Sequence, residues 1–239
     1  MVPNLQLKML LVIGLILLFL GIPHIHAAPI TEPSGLNPGD QYRLVFVTSG
    51  TRDAKSDDIE AYNSFVTGEA ASPALIELQT SWFAIASTPL TSARQNTNTD
   101  FVASAPGVPI FNLAGETVAR DYGDLWDGDI MNPIDVLADG TRLQAVDMRV
   151  WTGTDYEGYF NQASPLGTPV PGTGDAANPY LGWIKDWANP FDNYEMSHRL
   201  YGMSEILTVQ NPVPAPTSIV LLSSGIFGLL GLRRKGRKV

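Results

Sequence analysis

The chain contains no cysteine. That excludes disulfide staples, thiol nucleophiles and thiolate zinc sites. Histidine is almost as scarce. His24 and His26 fall near the start, and only His198 lies further in. A histidine-built zinc site therefore lacks ligands, and a serine hydrolase would have to use His198 without a Gly-x-Ser-x-Gly elbow. His198 reads instead as a structural hydrogen-bonding residue. Gly-rich phosphate loops and internal repeats are also missing. Charged residues make up only 16%, against 22 Gly and 18 Pro, a composition of many short elements joined by turns.

The scarce charge is unevenly placed. All 24 acidic residues lie between Glu32 and Glu205, whereas Lys8 precedes them and five basic residues follow at 233–238. The stretch between holds 9 Lys+Arg against 24 Asp+Glu, a balance of −15. Such a surface repels phosphate backbones and anionic lipid headgroups, which argues against nucleic acid as a partner. It suits divalent cations or neutral sugars, and it also does the ordinary job of keeping a protein in solution.

Lys8 is followed by an uncharged apolar run, 9–22, then Pro23 and the small residues Ala27 and Ala28. A positive start, a short apolar middle and a small-residue exit predict a secretory signal peptide over 1–27. The alternative is an uncleaved anchor, for which the run is short. An exported globular domain follows over 28–210. The far end, 211–239, has three parts: the proline segment Asn211-Pro212-Val213-Pro214-Ala215-Pro216, the uncharged apolar stretch 217–232, and the basic cluster beginning Arg233-Arg234-Lys235. The prolines keep the chain extended and open to a processing enzyme. The apolar stretch predicts a transmembrane helix, and the basic cluster stays on the cytoplasmic side and stops translocation. Gly225, Gly228 and Gly231 keep one stripe of that helix slim.

This end resembles the PEP-CTERM sorting signal of Gram-negative bacteria that make exopolysaccharide. The resemblance rests on Val213-Pro214-Ala215-Pro216, Gly228-Leu229-Leu230-Gly231-Leu232 and Arg233-Arg234-Lys235, with Ala215 where the family usually has Glu. It implies an exosortase-type processing enzyme as partner. The precursor would be anchored in the inner membrane, then cleaved near the proline motif and delivered to the cell surface or beyond.

The middle predicts an α+β domain, mostly antiparallel β with one clear helix and long loops. Tyr42-Arg43-Leu44-Val45-Phe46-Val47-Thr48 reads as a strand and Trp82-Phe83-Ala84-Ile85-Ala86 as a short buried one. Ile59, Tyr62, Phe65 and Val66 have helical spacing behind Asp57 and Glu60, which stand at capping-box distance. Residues 109–119 resemble a hairpin turning at Ala114-Gly115, and the order suggests a simple meander. Val150-Trp151-Thr152-Gly153-Thr154 marks a strand end, 165–179 a long loop, and 200–209 a final strand. Together with Asp124-Leu125-Trp126-Asp127-Gly128 and Leu200-Tyr201, these segments resemble those of uncharacterised PEP-CTERM exported proteins. The strand–helix start with Trp-bearing loops is also similar to C-type-lectin-like and endostatin-like domains, although the disulfides of those domains are missing.

Two constellations carry candidate chemistry. Asp121, Asp124, Asp127 and Asp129, interleaved with Gly123 and Gly128, offer oxygens of the kind Ca²⁺ takes, but without an EF-hand pattern. The competing reading makes them turn caps facing water. Trp183 and Trp187, four apart, share a face if that segment is helical and could stack on sugar rings, or they are core anchors. Nothing singles out a catalytic pair among 24 acids. The function expected is a non-enzymatic surface or matrix protein, with exopolysaccharide as a candidate partner. The alternatives are an extracellular hydrolase using paired carboxylates and a purely structural matrix or adhesion component. Replacing both Pro214 and Pro216 by Ala should make the full-length form accumulate in the inner membrane. Immunoblotting of fractionated cells reads this, and unchanged processing would count against the sorting role.

Overall fold

A computed structural model describes residues 28–102, 104–144, 148–186 and 193–211. The leader over 1–27, the sorting residues Val213, Pro214, Ala215, Pro216, Arg233, Arg234 and Lys235, the apolar stretch 217–232, and Trp187 lie outside the described residues. The architecture is α+β, with mostly strands and few helices. The strands are β1 (Gln41–Val47), β2 (Trp82–Ala84), β3 (Ile110–Asn112), β4 (Thr117–Ala119), β5 (Arg149–Trp151), β6 (Thr173–Asp175), β7 (Tyr201–Ser204) and β8 (Leu207–Thr208). Among the described residues, four short α-helices accompany them, α1 (Glu60–Glu69), α2 (Pro73–Glu77), α3 (Ala93–Thr97) and α4 (Tyr122–Leu125), with one 3-10 turn at Leu181–Trp183.

The main sheet has the order β2-β7-β1-β3-β4, with β8 also on β1, while β5 and β6 form a separate pair. This corrects the meander. β1 pairs in parallel with β3 and antiparallel with β7, so the chain crosses over rather than folding back strand by strand. The other pairings are antiparallel. β1 lies in the middle and is buried at every position after Gln41. Its alternation feeds two cores. Tyr42, Leu44 and Phe46 join Ile59, Tyr62 and Val66 from the α1 region, with Leu75, Trp82 and Trp151. Val45 and Val47 join Ile110, Leu125, Trp126, Trp183, Tyr201 and Met203 on the other side. Arg43 falls on that second face, where its guanidinium donates to the Thr97 carbonyl at 2.6 Å and lies over the Tyr122 ring. Burial lowers its pKa.

Helix α1 lies close to the sheet because Gly202 faces it. A Cβ there would stand 2.6 Å from both Phe46 Cε1 and Val66 Cγ1. The expected capping box of Asp57 and Glu60 does not form. The N-cap is Ile59 without a side-chain cap bond, and Asp58 Oδ1 takes the Glu60 amide at 3.1 Å. Asn63 on α1 reaches the edge strand, accepting from the Ala84 amide at 2.9 Å. A side chain thus satisfies backbone that an edge leaves open. The segment 165–179 is not all loop, since β6 lies within it. The closing segment 200–209 is divided into β7 and β8.

The β3–β4 hairpin forms as expected and is clamped by polar side chains. Asn112 Oδ1 accepts from the Ala114 and Glu116 amides at 3.0 and 3.1 Å. Asn112 Nδ2 donates to Glu116 Oε2 at 2.7 Å, and Arg142 bridges Glu116 at 2.5 Å and Asp135 at 2.6 Å. The Asn112 hydrogen bond, followed by Arg142, holds the Glu116 carboxyl below its ordinary value. A depressed carboxyl adds stability that is fully present above the ordinary glutamate pKa of about 4.3 and is lost as pH falls below it through the lower folded value. Glu116→Gln should therefore destabilise by less than about 1 kcal/mol at pH 7, because the side chain is over a third exposed. The gap from wild type should narrow as pH falls below about 4.3. Urea denaturation across that range checks it, and a gap widening in acid would refute the clamp.

Candidate functional site

Beyond β5 the chain makes a tight loop that closes on itself. Thr154 bridges to Phe160, the Asp155 amide donates to the Tyr159 carbonyl at 2.9 Å, and the Gly158 amide donates to the Asp155 carbonyl at 3.1 Å. Asp155 Oδ1 accepts from the Glu157 and Tyr159 amides at 3.1 and 2.9 Å. At the loop's base Thr154 Oγ1 lies 2.9 Å from Ser87 Oγ, and the Asn161 amide donates to the Gly153 carbonyl at 3.0 Å. A loop so pinned presents its side chains without having to order them on binding.

Beneath the loop lies α3. Its capping box, Ser92 with Gln95, fixes the helix start, and its second residue is Arg94. The Arg94 amide donates to the Gly158 carbonyl at 3.2 Å, and its guanidinium carbon stands 4.8 Å from the Tyr159 ring centroid, 4.9 Å from Phe101 and 5.9 Å from Trp126. Trp126 is held by Nε1 donating to Thr99 Oγ1 at 2.9 Å. Gly158 makes the closeness possible. Its φ is +82°, and a Cβ would come 2.7 Å from both Arg94 Cγ and Trp126 Cδ2.

Above this base opens a cleft of about 490 Å³, lined by Asp155, Tyr159, Phe160, Asn161, Gln162 and Lys185. That size suits a ligand of a few sugar rings. Tyr159 is 46% exposed and Phe160 40%, with Tyr156 and Phe101 also open to solvent, whereas Arg94 is only 8% exposed. Exposed rings beside the amides of Asn161 and Gln162 can stack on the apolar face of a sugar while the amides bond its hydroxyls.

The residues singled out in the sequence fare differently. Trp183 is fully buried, its ring 5.9 Å from Trp126 and 6.0 Å from Tyr201, and the Tyr201 hydroxyl donates to its carbonyl at 2.9 Å. Burial, then the charges of Asp175 and Asp135, raises the Tyr201 phenol well above its ordinary value. The Trp183 indole therefore offers no face to a sugar, which corrects that half of the tryptophan pair. Asp121 caps α4 by accepting the Asp124 amide at 2.9 Å, and Asp124 accepts the Arg120 amide at 2.7 Å. Asp127 accepts the Asp129 amide at 3.3 Å. These oxygens serve turns, and among the described residues no group of three or more His, Cys, Asp or Glu is placed to hold a metal ion. His198 is buried with its ring 4.3 Å from Trp151, and its backbone pairs with Arg52.

A second cleft of about 440 Å³ carries Glu32, Glu77 and Glu205. All three carboxylates stand in solvent, unlike the enclosed facing pair that acid–base hydrolysis asks for. No family model matches the chain. No curated protein matches it either.

Gly158→Ala should cost roughly 1–3 kcal/mol, through a disfavoured φ and overlap with Arg94 and Trp126. Gly35→Ala, at φ +89° with nothing within 4 Å, should cost less. Denaturation followed by tryptophan fluorescence compares the two, and equal losses would mean that the loop does not pack as described.

Proposed function

We propose that the protein is an exported bacterial surface or matrix protein whose folded domain binds extracellular polysaccharide through the 155–162 loop. The observation that carries the binding reading is the pairing of exposed Tyr159 and Phe160 with the Asn161 and Gln162 amides on a loop already held in shape. Export rests on the leader-like start and on the tripartite end that resembles a PEP-CTERM signal. An exosortase-type enzyme is the processing partner, and the inner membrane holds the precursor. No helix among the described residues is long and apolar enough to cross a membrane, and 217–232 lies outside them. The C-type-lectin-like comparison remains a proposal for the fold, resting on the strand–helix start and the Trp-bearing loops, and it brings no ligand with it.

The full chain should be retarded in native gels that contain polysaccharide purified from the producing cells' own matrix. Tyr159→Ala and Phe160→Ala should each weaken that binding by roughly 2- to 10-fold, as loss of one stacking ring implies. The melting temperature should move little for Phe160→Ala. Wild-type mobility unaffected by the polysaccharide would count against the reading.

A further inference from the structure

Arg94 is more than nine-tenths buried, and its Nε is enclosed with no hydrogen-bond partner. Shutting part of a guanidinium away from water without an acceptor is costly, so the arrangement calls for an explanation. What the side chain does meet is aromatic. Its guanidinium carbon stands 4.8 Å from the Tyr159 ring centroid and 4.9 Å from that of Phe101. Such contacts return part of the cost, at about 0.5–2 kcal/mol each. Arg94 does not line the cleft. It props, from behind, two rings that stay in solvent.

Because both centroids are measured from one carbon atom, Tyr159 and Phe101 are close neighbours. Phe101 is also near α4, where a Cβ on Gly123 would come 3.5 Å from Phe101 Cε2. Tyr159 and Phe160 belong to the cleft lining, and Phe101 does not. The exposed aromatic surface therefore continues past the cleft.

Charge gives the class of occupant. The lining holds one acid, Asp155, and one base, Lys185, whose charges cancel. Asp155 Oδ1 is already taken by the Glu157 and Tyr159 amides. The surrounding domain, at −15, disfavours an anionic chain. What remains for a ligand is ring faces and the Asn161 and Gln162 amides, which suit uncharged, hydroxylated rings.

We infer that the site takes a run of sugars in a neutral glycan chain, one against Tyr159 and Phe160 in the cleft and another, further along the chain, on Phe101. The inference rests on the polysaccharide-binding reading and adds to it a second subsite and the class of chain. A single sugar does not cover both places, so chain length becomes part of recognition.

The probes are the matrix polysaccharide of the producing cells and two size fractions of its partial hydrolysate, one of single sugars and disaccharides, the other of longer oligosaccharides. In affinity electrophoresis of the full chain, Phe101→Ala and Phe101→Leu should each weaken binding of the polysaccharide roughly 2- to 10-fold, as loss of one stacking ring implies. Phe101→Trp should keep wild-type binding. Leucine retains apolar bulk against Arg94, so Phe101→Leu carries the test if the alanine variant does not fold. At equal mass the longer fragments should compete better than the short ones by a similar factor, roughly 2- to 10-fold. Binding should persist as salt rises from roughly 0.05 to 0.5 M, since no ion pair holds the chain. Wild-type affinity in Phe101→Leu, or short fragments competing as well as long ones, would overturn the second subsite. The loop's own role, read by Tyr159→Ala, would survive that result. Binding abolished by salt would overturn the neutral chain. A polysaccharide that does not bind the wild type at all would remove both proposals together.

Discussion

Everything in this fold depends on one strand being covered on both faces. β1 runs through the middle of the sheet, and each successive side chain from Tyr42 to Val47 enters one core or the other. A domain without disulfides must draw its stability from such burial, and two cores on one central strand give more apolar contact than a sheet with one wet face. Two of the polar side chains among them find partners. Arg43 finds a carbonyl and an aromatic face, and Asn63 closes the β2 edge. β5 and β6 attach beside this body, with the Trp151 indole donating to the Arg52 carbonyl at 2.9 Å. From that attachment the 155–162 loop projects.

The parts legible in the sequence were those whose local pattern agreed with their surroundings. β1 could be read because its aromatic and β-branched run suits a strand enclosed on both sides, and the β3–β4 hairpin because Ala114-Gly115 separates two apolar pieces. β6 was hidden. Thr173-Gly174-Asp175 has no apolar side chain and is a strand only because β5 lies beside it. The parallel pairing of β1 with β3 is likewise invisible to a local reading, since no residue in either strand announces its neighbour. Helix α3 did carry a signal, the Ser92–Gln95 capping box, which could have placed Arg94 on a helix.

The candidate site was harder to see for a related reason. Its rings come from positions 101, 126 and 159, and only tertiary packing brings them around Arg94. Trp183 misled because a tryptophan beside a Gly- and Pro-rich loop reads as exposed, and no periodicity distinguishes a surface indole from one folded inward. The acids at 121–129 carry two readings in the sequence, a cation cage and a set of turn caps. Closely spaced aspartates look like a cation cage, but each of Asp121, Asp124 and Asp127 bonds a nearby amide, as short polar side chains at turns commonly do.

The place of β7 has a consequence for how the molecule comes into being. β7 lies between β2 and β1, and the Leu44 amide donates to the hydroxyl of Ser204, 160 residues later in the chain. Until 201–204 are available, the two earlier strands have no common neighbour and α1 has no complete surface to rest on. Closure is therefore a late event of high contact order, and such folds form slowly. A chain still on the ribosome would remain open until that segment emerges, in a state that a protease can cut.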